Sequence, residues 1–242
     1  MDVSYAIIAD IVGSRRLTDR RAAQATFVDV LTRAAAGLAL PQPPVATVGD
    51  EFQAVAASLP AALTLTLRVQ LHLPEGLALR FGIGAGWVET VSSDAGGADA
   101  EASIQDGTAW WAAREAIEQA HAVQDSGREF CHTWMRVAQD AVVPGGAQEG
   151  EAVVNALLLL RDQAVYRLRP RQRRMTMALL AGATQVEVAR SEKVSQQAVS
   201  DFSRGPGAAL IEAQTLLDTL LVTLIDPVGV ARTGQMPPAV QQ

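Results

Sequence analysis

Tyr5-Ala-Ile-Ile-Ala-Asp-Ile-Val-Gly-Ser14 is the stretch of this sequence that most strongly indicates the fold. A short, nearly continuous run of apolar and β-branched residues is typical of a strand that is buried on both faces. A glycine and a serine end the run and place Asp10 near the end of the strand. Farther along, Gly49-Asp50 separates two strand-like segments, which is typical of a β-hairpin turn. The sequence therefore predicts two aspartates, Asp10 and Asp50, at neighbouring strand ends.

The first 148 residues alternate between strand-like and helix-like patterns. Strands are predicted at 5–12, 45–48, 51–55 and 77–88, and helices at 19–40, 58–72, 108–122 and about 128–140. Three alternating glycines in the last strand, Gly82, Gly84 and Gly86, indicate close approach by a ligand or a partner strand. The order β-α-β-β-α-β followed by helices predicts an α/β fold, a ferredoxin-like α+β sandwich with a mixed or antiparallel sheet. Residues 92–103 are predicted to form a mobile loop.

The second part of the chain is predicted to be entirely helical. Helical patterns run over about 151–162, 170–181, 184–191, 195–204 and 206–225. We therefore expect an α/β domain over residues 1–148 and an all-α helix-turn-helix domain over residues 151–225. The tail, residues 226–242, contains several prolines and glycines and is predicted to be disordered.

Composition limits the class of protein. Of the 242 residues, 49% are hydrophobic and 19% are charged, which predicts a packed core. Residues 1–154 carry 10 basic and 19 acidic residues (−9), whereas residues 155–242 carry 10 basic and 7 acidic residues (+3). Only the second part is therefore suited to a polyanion. One cysteine excludes an intramolecular disulfide, and no membrane-spanning or secretory segment is visible, so we expect a cytoplasmic protein without a membrane partner.

The two aspartates suit a site for a metal and a phosphate. Mg²⁺ (or Mn²⁺) prefers hard oxygen ligands, commonly one or two carboxylates together with phosphate oxygens. The loop that contains Gly13 and Ser14 has backbone N–H groups that can hold phosphate oxygens, and Arg15 can add charge-assisted contacts. We therefore expect Asp10 and Asp50 to bind the metal, and the loop to bind a nucleotide phosphate. The alternative is that Asp10 is an ordinary strand-end aspartate and Asp50 an ordinary turn aspartate.

The order of several motifs resembles that of known catalytic domains. Asp10-Ile-Val-Gly-Ser14 and Gly49-Asp-Glu-Phe52 are similar to the metal-binding motifs of class III nucleotidyl cyclases and GGDEF domains. Leu79–Gly86 resembles the cyclase strand Arg-x-Gly-Ile-His-x-Gly. Together with Ala112-Ala-Arg-Glu-Ala116, these segments resemble still more closely the bacterial SatD family, whose members join a cyclase-like region to a C-terminal helix-turn-helix. The resemblance implies a cyclase-like palm, metal binding by the two aspartates, and phosphate contact by Arg114.

The sequence departs from the enzyme motifs at two positions. Cyclases carry an Asn-x-Ala-x-Arg helix whose Asn and Arg stabilise the reacting phosphate, and here Trp110 stands at the Asn position. An indole only donates a hydrogen bond and does not replace an amide. Val48 replaces the first glycine of the GGDEF motif. Since loss of one preorganised group costs about 10²–10³ in rate, we expect nucleotide binding without turnover. The alternative is an active nucleotidyl cyclase or nucleotidyltransferase that uses Asp10 and Asp50.

The remaining aromatic and imidazole side chains are assigned to packing. Trp110 and Trp111 are predicted to pack in a core or a dimer interface, with base stacking as the alternative. His72, His121 and His132 have no metal-ligand spacing and are predicted to be surface or packing residues.

Residues 184–204 fit the spacing of a helix-turn-helix. With Gln185 as the first position, the usual buried positions are filled by Val188, Ala189, Val194, Val199 and Phe202. The fit resembles the DNA-reading helices of LuxR-type regulators and of sigma-factor region four, although Glu192-Lys193 replaces the usual Leu-Gly in the turn. The recognition helix is predicted to begin at Ser195.

Exposed polar and basic residues around this helix are the predicted DNA contacts. Glutamine can bond an adenine edge in two places, serine is a versatile partner, and arginine binds phosphates. The residues assigned to DNA are Arg171, Arg173, Arg174, Ser195, Gln196, Gln197, Ser200 and Arg204. Because one unit offers limited area, we expect a homodimer on two half-sites of double-stranded DNA. The leading hypothesis is a transcriptional regulator whose cyclase-like domain binds a nucleotide. The alternatives are a purely structural first domain and a helical domain that only dimerises.

Overall fold

The computed structural model describes residues 3–17, 19–47, 50–91, 104–141 and 147–225. The strands in these ranges are β1 (Ser4–Ile11), β2 (Gln42–Ala46), β3 (Glu51–Ala56), β4 (Leu79–Gly86), β5 (Glu89–Val91), β6 (Ile104–Asp106) and β7 (Thr133–Val137). The helices are α1 (Arg20–Ala35), α2 (Leu59–His72), α3 (Thr108–Asp125), α4 (Ala147–Arg167), α5 (Pro170–Leu180), α6 (Gln185–Glu192), α7 (Gln196–Arg204) and α8 (Ala208–Ile225). The predicted loop at 92–103 and the predicted tail at 226–242 lie outside the described residues.

Five strands form a mixed sheet in the order β2-β3-β1-β4-β7, and β5 pairs with β6 in a separate two-stranded sheet. The central strand β1 pairs antiparallel with β3 and β4, whereas β7 runs parallel to β4. The register places Asp10 opposite Glu51 of β3 and opposite Arg80 of β4. The mixed α/β fold and the β-α-β-β-α-β series over β1 to β4 are therefore as the sequence predicts.

Both faces of β1 are covered, as its continuous apolar run predicts. Ile7 and Ala9 pack in one core with α1 and α2. Ala6 and Ile8 pack on the opposite side against α3. Since successive residues of a strand point to opposite faces, Asp10 shares its face with Ala6 and Ile8. The fold thus directs the Asp10 carboxylate to the α3 side of the sheet.

The glycines of β4 allow α3 to pack directly on the strand backbone. A Cβ atom at Gly82 would lie 2.2 Å from the Ala113 carbonyl oxygen, and one at Gly84 would lie 2.0 Å from the Ala109 carbonyl oxygen. No side chain fits at such distances. The close approach predicted from these glycines is therefore present, but the neighbour is a helix and not a ligand or a partner strand.

The predicted helix over about 128–140 is wrong, because residues Thr133–Val137 form β7. Thr133 and Met135 are buried while Trp134 and Arg136 are partly exposed, which is the alternation of a strand. Parallel pairing with β4 supplies partners that a short sequence window does not reveal. Burial and pairing in the sheet here override the local helical pattern.

Helix α4 lies along the outer edge of β7 and supplies hydrogen bonds that a further strand would otherwise supply. Asn155 accepts a hydrogen bond from the Met135 N–H (2.8 Å) and donates one to the Met135 carbonyl (2.9 Å). Glu151 and Asp162 accept hydrogen bonds from two other backbone N–H groups of this edge, at 3.1 and 2.8 Å. Polar helix side chains thereby cover a sheet edge. The first helix assigned to the second domain thus packs on the sheet of the first.

The helices that follow α4 rest on α2. Leu67 and Leu71 of α2 share one apolar core with Met175 of α5 and Phe202 of α7. Gln214 of α8 also donates a hydrogen bond to a buried threonine of α2 at 2.8 Å. In the part of the chain that the structure describes, no helix combines the length and the apolar character needed to cross a membrane.

Candidate functional site

Asp10 and Asp50 lie in one pocket at the end of the central strands. The cavity has a volume of about 550 Å³. Its lining residues are Asp10, Ile11, Gly13, Ser14, Arg15, Asp50, Arg80 and His121. The turn before β3 thus brings Asp50 next to the end of β1. Five of the six residues predicted to bind metal or phosphate share this pocket, and Arg114 is not among its lining residues.

The carboxylate of Asp10 is only partly paired. Its Oδ2 accepts a hydrogen bond from Arg80 Nη1 at 3.1 Å, whereas Oδ1 is enclosed and has no hydrogen-bond partner among the described residues. Burial raises the pKa of Asp10, the Arg80 charge opposes this rise, and the nearby Asp50 charge adds to it. An enclosed carboxylate oxygen without a donor costs free energy. A bound cation or hydrogen-bond donor would relieve that cost.

Arg80 is a fixed cation beside Asp10. Only 6% of its surface is exposed, and Gln124 Oε1 accepts hydrogen bonds from its Nε (2.8 Å) and Nη2 (2.6 Å). Sequence reasoning did not assign Arg80 to the site, although this residue belongs to the cyclase-like strand motif. Its position opposite Asp10 follows from strand register, which the motif alone does not supply.

His121 is a second pocket residue that sequence reasoning missed. Its ring is exposed, and its Nδ1 lies 3.0 Å from Asp125 Oδ2. It follows Arg114 by seven residues, so both lie on the same face of α3. That helical spacing is the signal that would have brought His121 to attention.

The loop after β1 turns sharply at Gly13. This residue has a φ of 69° and a ψ of 29°, a left-handed conformation that glycine adopts without steric cost. A short 3₁₀ turn follows over Ser14–Arg16. Ser14 is half-buried and Arg15 is exposed, so the loop presents a hydroxyl and a guanidinium to the pocket.

Arg114 is paired with a carboxylate near the pocket. Its guanidinium donates hydrogen bonds to Glu51 Oε2 (2.6 Å) and Oε1 (3.1 Å). These hydrogen bonds to Glu51 raise the pKa of Arg114. Glu51 directly follows Asp50 in the chain. The phosphate contact predicted for Arg114 therefore requires this two-point pair to open.

The two neighbouring tryptophans have different environments. Trp110 packs against the core between β1 and α3, which confirms a packing role, and its indole Nε1 is enclosed without a hydrogen-bond partner in the described ranges. Trp111 is 71% exposed, so it does not pack in the core of this chain. Trp110 is partly buried and does not line the Asp10–Asp50 pocket.

Helices α6 and α7 are each capped by their own first residues. Thr184 accepts a hydrogen bond from the Glu187 N–H, and Glu187 accepts one from the Thr184 N–H, which forms a capping box. Ser195 caps α7 through the Ala198 N–H at 3.1 Å. The four predicted core positions on the helices are buried and Val194 is partly buried, all in one apolar cluster. The predicted burial pattern is confirmed.

The turn between these helices is left-handed at Lys193. Its φ is 54° and its ψ is 49°, a conformation that glycine commonly adopts at the end of a helix. Lysine therefore takes the backbone conformation of the glycine that the LuxR-like pattern carries there. The chain keeps the turn although it lacks the usual residue.

The SatD family model matches residues 4–203. The match covers most of the 242-residue chain and spans the Asp10–Asp50 pocket, α4 to α6 and nearly all of α7. The chain belongs to the SatD family. No curated protein and no solved structure matches it.

In this SatD family chain, the residues predicted to contact DNA differ in the exposure of their side chains and in their hydrogen bonds. Gln196 and Arg171 are exposed. Local hydrogen bonds hold the pairs Arg174–Glu192, Ser195–Ala198, Gln197–Asp201 and Arg204–Ser200. Arg173 is partly buried and lines a different cavity, between α5 and the sheet. The exposed face of α7 is therefore polar, with Gln196 as its least constrained member.

Proposed function

We propose that this SatD family protein is a DNA-binding transcriptional regulator that binds a nucleotide, together with Mg²⁺, in the pocket of Asp10 and Asp50. The observation that carries the proposal is the pocket, in which two carboxylates stand beside a glycine-led loop and two arginines. One family region spans this pocket, α6 and nearly all of α7, so both proposed sites lie in the same family region. Such a regulator acts in the cytoplasm.

The pocket suits Mg²⁺ bound to a nucleotide better than Mg²⁺ alone. This ion usually takes one or two carboxylates plus phosphate oxygens and keeps several waters. The enclosed Oδ1 of Asp10 and the carboxylate of Asp50 are the protein ligands in this proposal. Within the described ranges, no cluster of three or more His, Cys, Asp or Glu residues is placed to hold a metal, so phosphate oxygens complete the coordination. The bound ion neutralises phosphate charge, and Mn²⁺ suits the same oxygen ligands.

The loop after β1 is the phosphate-binding element in this proposal. Gly13 turns the backbone, Ser14 offers a hydroxyl, and Arg15 offers an exposed guanidinium. Charge-assisted hydrogen bonds from arginine to phosphate are about twice as strong as neutral ones. Arg80 adds a fixed positive charge on the other side of Asp10.

The geometry favours holding the nucleotide over converting it. The cyclase-like motif would place two phosphate-stabilising groups on α3, but Trp110 packs in the core and Arg114 is paired with Glu51. Transition-state stabilisation depends on donors that are already aimed at the developing charge. The rival function, nucleotidyl transfer or cyclisation, would use the same two carboxylates of Asp10 and Asp50 as metal ligands.

For DNA, we propose that α6, its turn and α7 form a helix-turn-helix with α7 as the recognition helix. Gln196 reads a base edge, and Gln197 and Ser200 join it after exchanging their local partners for DNA. The arginines at 171, 174 and 204 contact phosphates, which position the protein without reading sequence. Because one short helix reads few base pairs, two copies bind as a homodimer on two half-sites.

Calorimetry with ATP, GTP, CTP and UTP, each with Mg²⁺, tests the nucleotide site. We expect at least one to bind and expect Asp10→Asn and Asp50→Asn to weaken it at least about tenfold, since each removes a charged metal ligand. The control Asp29→Asn removes an exposed carboxylate from α1 and leaves binding unchanged. Absence of binding, or equal loss in all three variants, refutes the site.

Product analysis separates the regulator from the enzyme. The same nucleotides are incubated with protein and Mg²⁺ or Mn²⁺, and the mixture is resolved by chromatography. We expect unchanged nucleotide. Turnover that Asp10→Asn abolishes would establish nucleotidyl transfer instead.

Recovery of genomic fragments on the full-length protein tests the DNA site. We expect specific fragments to be enriched, and joint Gln196→Ala and Gln197→Ala substitution to weaken their binding, because a two-point base contact contributes about 1–3 kcal/mol of discrimination. Arg171→Ala should weaken binding to all DNA sequences alike, and it should lower the slope of the logarithm of affinity against the logarithm of salt concentration by about one. The control Gln139→Ala changes an exposed residue in the turn after β7 and leaves binding unchanged. Equal affinity of the double variant for every fragment rejects α7 as the recognition helix.

A further inference from the structure

A large groove opens beside the Asp10–Asp50 pocket and leads to the α4–α5 junction. Its volume is about 1300 Å³. Its walls include residues 70–80, residues from the C-terminal half of α3, residues 165–170, and Arg173 with Arg174. Gly13, Arg80 and His121 line both the groove and the pocket, so the two cavities adjoin. A ligand held at the two aspartates therefore has room to extend towards α5.

The lining of the groove offers the mixed chemistry that a nucleoside requires. Carboxylate acceptors (Glu75, Asp125 and Glu129) and guanidinium donors (Arg80, Arg167, Arg169, Arg173 and Arg174) both line it. Leu77 and Val165 add apolar surface to the same walls. Small-molecule sites commonly combine apolar walls with a few polar groups that fix orientation. A neutral base and sugar, rich in donors and acceptors, match this lining.

Arg173 is the residue of α5 that makes the groove of functional interest. Its side chain is partly buried, and its Nε is enclosed with no hydrogen-bond partner among the described residues. The adjacent Arg174 is instead bound at two points to Glu192, at 2.9 and 2.7 Å. An enclosed donor without an acceptor costs free energy. An oxygen or ring nitrogen of a ligand in the groove would satisfy it.

The wall of the groove is held by a continuous chain of hydrogen bonds. It begins with Asp10 and Arg80, and continues from Arg80 to Gln124 at 2.6 and 2.8 Å. Gln124 Nε2 lies 3.2 Å from the ring nitrogen His132 Nδ1. The backbone N–H of His132 donates a hydrogen bond to the Asp162 carboxylate of α4 at 2.8 Å. The groove is thus preformed on the side that joins the pocket to α4.

We infer that the groove binds the nucleoside part of a nucleotide whose phosphates lie at Asp10 and Asp50, and that Arg173 contacts this nucleoside. The inference rests on the proposed function. A nucleotide in this position touches the sheet and α5 together, whereas the phosphates alone occupy only the pocket. Because α5 leads directly to α6 and α7, the occupant of the groove then fixes α5, and with it the DNA-contacting helices, relative to the sheet.

The test compares nucleoside triphosphates with inorganic triphosphate on the full chain. Affinities of ATP, GTP, CTP, UTP and inorganic triphosphate, each with Mg²⁺, are measured for the wild type, Arg173→Met and the control Arg33→Met. Arg33 is exposed on α1 and does not line the groove. We expect one nucleotide to bind more tightly than inorganic triphosphate. Arg173→Met should weaken the binding of that nucleotide about tenfold, because one hydrogen bond to a charged group is lost.

Inorganic triphosphate should bind all three proteins within about twofold, since its site does not include Arg173. Hydrogen exchange of the wild type gives a second readout that needs no variant: the nucleotide should slow exchange in α5, and inorganic triphosphate should not. Equal affinities for nucleotide and triphosphate, or unchanged α5 exchange with nucleotide bound, overturn the inference and leave the proposed nucleotide site standing. Failure of every probe to bind defeats the proposed function itself.

Discussion

The Asp10–Asp50 pocket and the α6–α7 pair are built in opposite ways. The pocket takes side chains from Asp10, Asp50, Arg80 and His121, which only the sheet and the packing of α3 bring together. The α6–α7 pair comes from residues 184–204, and each helix is capped by a residue at its own start. One site depends on contacts between distant parts of the chain, whereas the other depends mainly on local ones.

This difference determines where each site is vulnerable. A site assembled from distant residues is lost when any element that positions it moves, even one far from the pocket. A substitution at a cap or at the turn of the α6–α7 pair loses only the free energy of that cap or turn, because the apolar core that these helices share with α2 and α5 is unchanged. Substitutions that disturb the packing of helices on the sheet should therefore have large effects on the stability of the whole molecule. Substitutions at the α6–α7 turn should have small effects on stability.

The largest effect is expected for Gly84→Val, which breaks the β4–α3 contact. A Cβ at this position would lie 2.0 Å from the Ala109 carbonyl oxygen and 2.3 Å from the Ala113 N–H nitrogen. The helix backbone would have to move, so the loss should approach the whole folding free energy of a domain, about 5–15 kcal/mol. The control Gly76→Ala has open space around its Cβ and adds only backbone strain. Unfolding of both variants in urea is followed by circular dichroism. Similar urea midpoints for the two variants would contradict the proposed role of this contact.

The next largest effect is expected for Asp162→Ala, which removes the buried carboxylate that joins α4 to β7. Asp162 accepts hydrogen bonds from Gln70 (2.9 Å) and the His132 N–H (2.8 Å), and it lies 3.4 Å from the buried Arg161 guanidinium. Breaking a buried ion pair by removing one partner costs about 3–5 kcal/mol. The control Asp29→Ala removes an exposed carboxylate and should change the free energy of unfolding by less than about 1 kcal/mol. An equally small change in both would show that α4 is not held by this carboxylate.

The comparison also explains which parts of the structure could be predicted from the sequence. The bounds of α2 and the buried positions of α6 and α7 follow from helical spacing and capping residues, which are visible in a short window. The proximity of Asp10 and Asp50 follows from the pairing of β1 with β3, which sets the end of β1 beside the turn before β3. These features are local or depend on one simple pairing.

The features that were missed all depend on partners far away in the chain. The strand β7 was predicted as helix because its partners, β4 and α4, are remote in sequence. Arg80 was not assigned to the pocket because its place opposite Asp10 depends on strand register. The glycines of β4 indicated a close neighbour, but composition does not distinguish a ligand from the backbone of α3.

A smaller effect is expected for Ser195→Ala, which removes the cap of α7. Its hydroxyl accepts a hydrogen bond from the Ala198 N–H at 3.1 Å, and loss of such a cap costs about 1 kcal/mol. Hydrogen exchange should accelerate in α7 while exchange in β1 stays nearly constant. Ser195→Asp retains a side-chain acceptor and should restore slow exchange. If Ala and Asp accelerate exchange equally, or if β1 is affected as strongly as α7, the cap is not the local device described here.

The smallest effect, and the only one of opposite sign, is expected for Lys193→Gly. Lys193 holds a left-handed conformation with φ 54°, which costs a non-glycine residue about 1–2 kcal/mol. Glycine removes that strain but also adds about 0.5–1 kcal/mol of backbone entropy loss on folding, so the net gain should be below about 1 kcal/mol. Lys193→Ala is the deciding control, because it removes the same charge and long side chain yet keeps the strain. Thermal unfolding should therefore show Gly above the wild type and Ala at or below it. Equal gains for Gly and Ala would assign the effect to the side chain, and the turn would then depend on more than its own backbone.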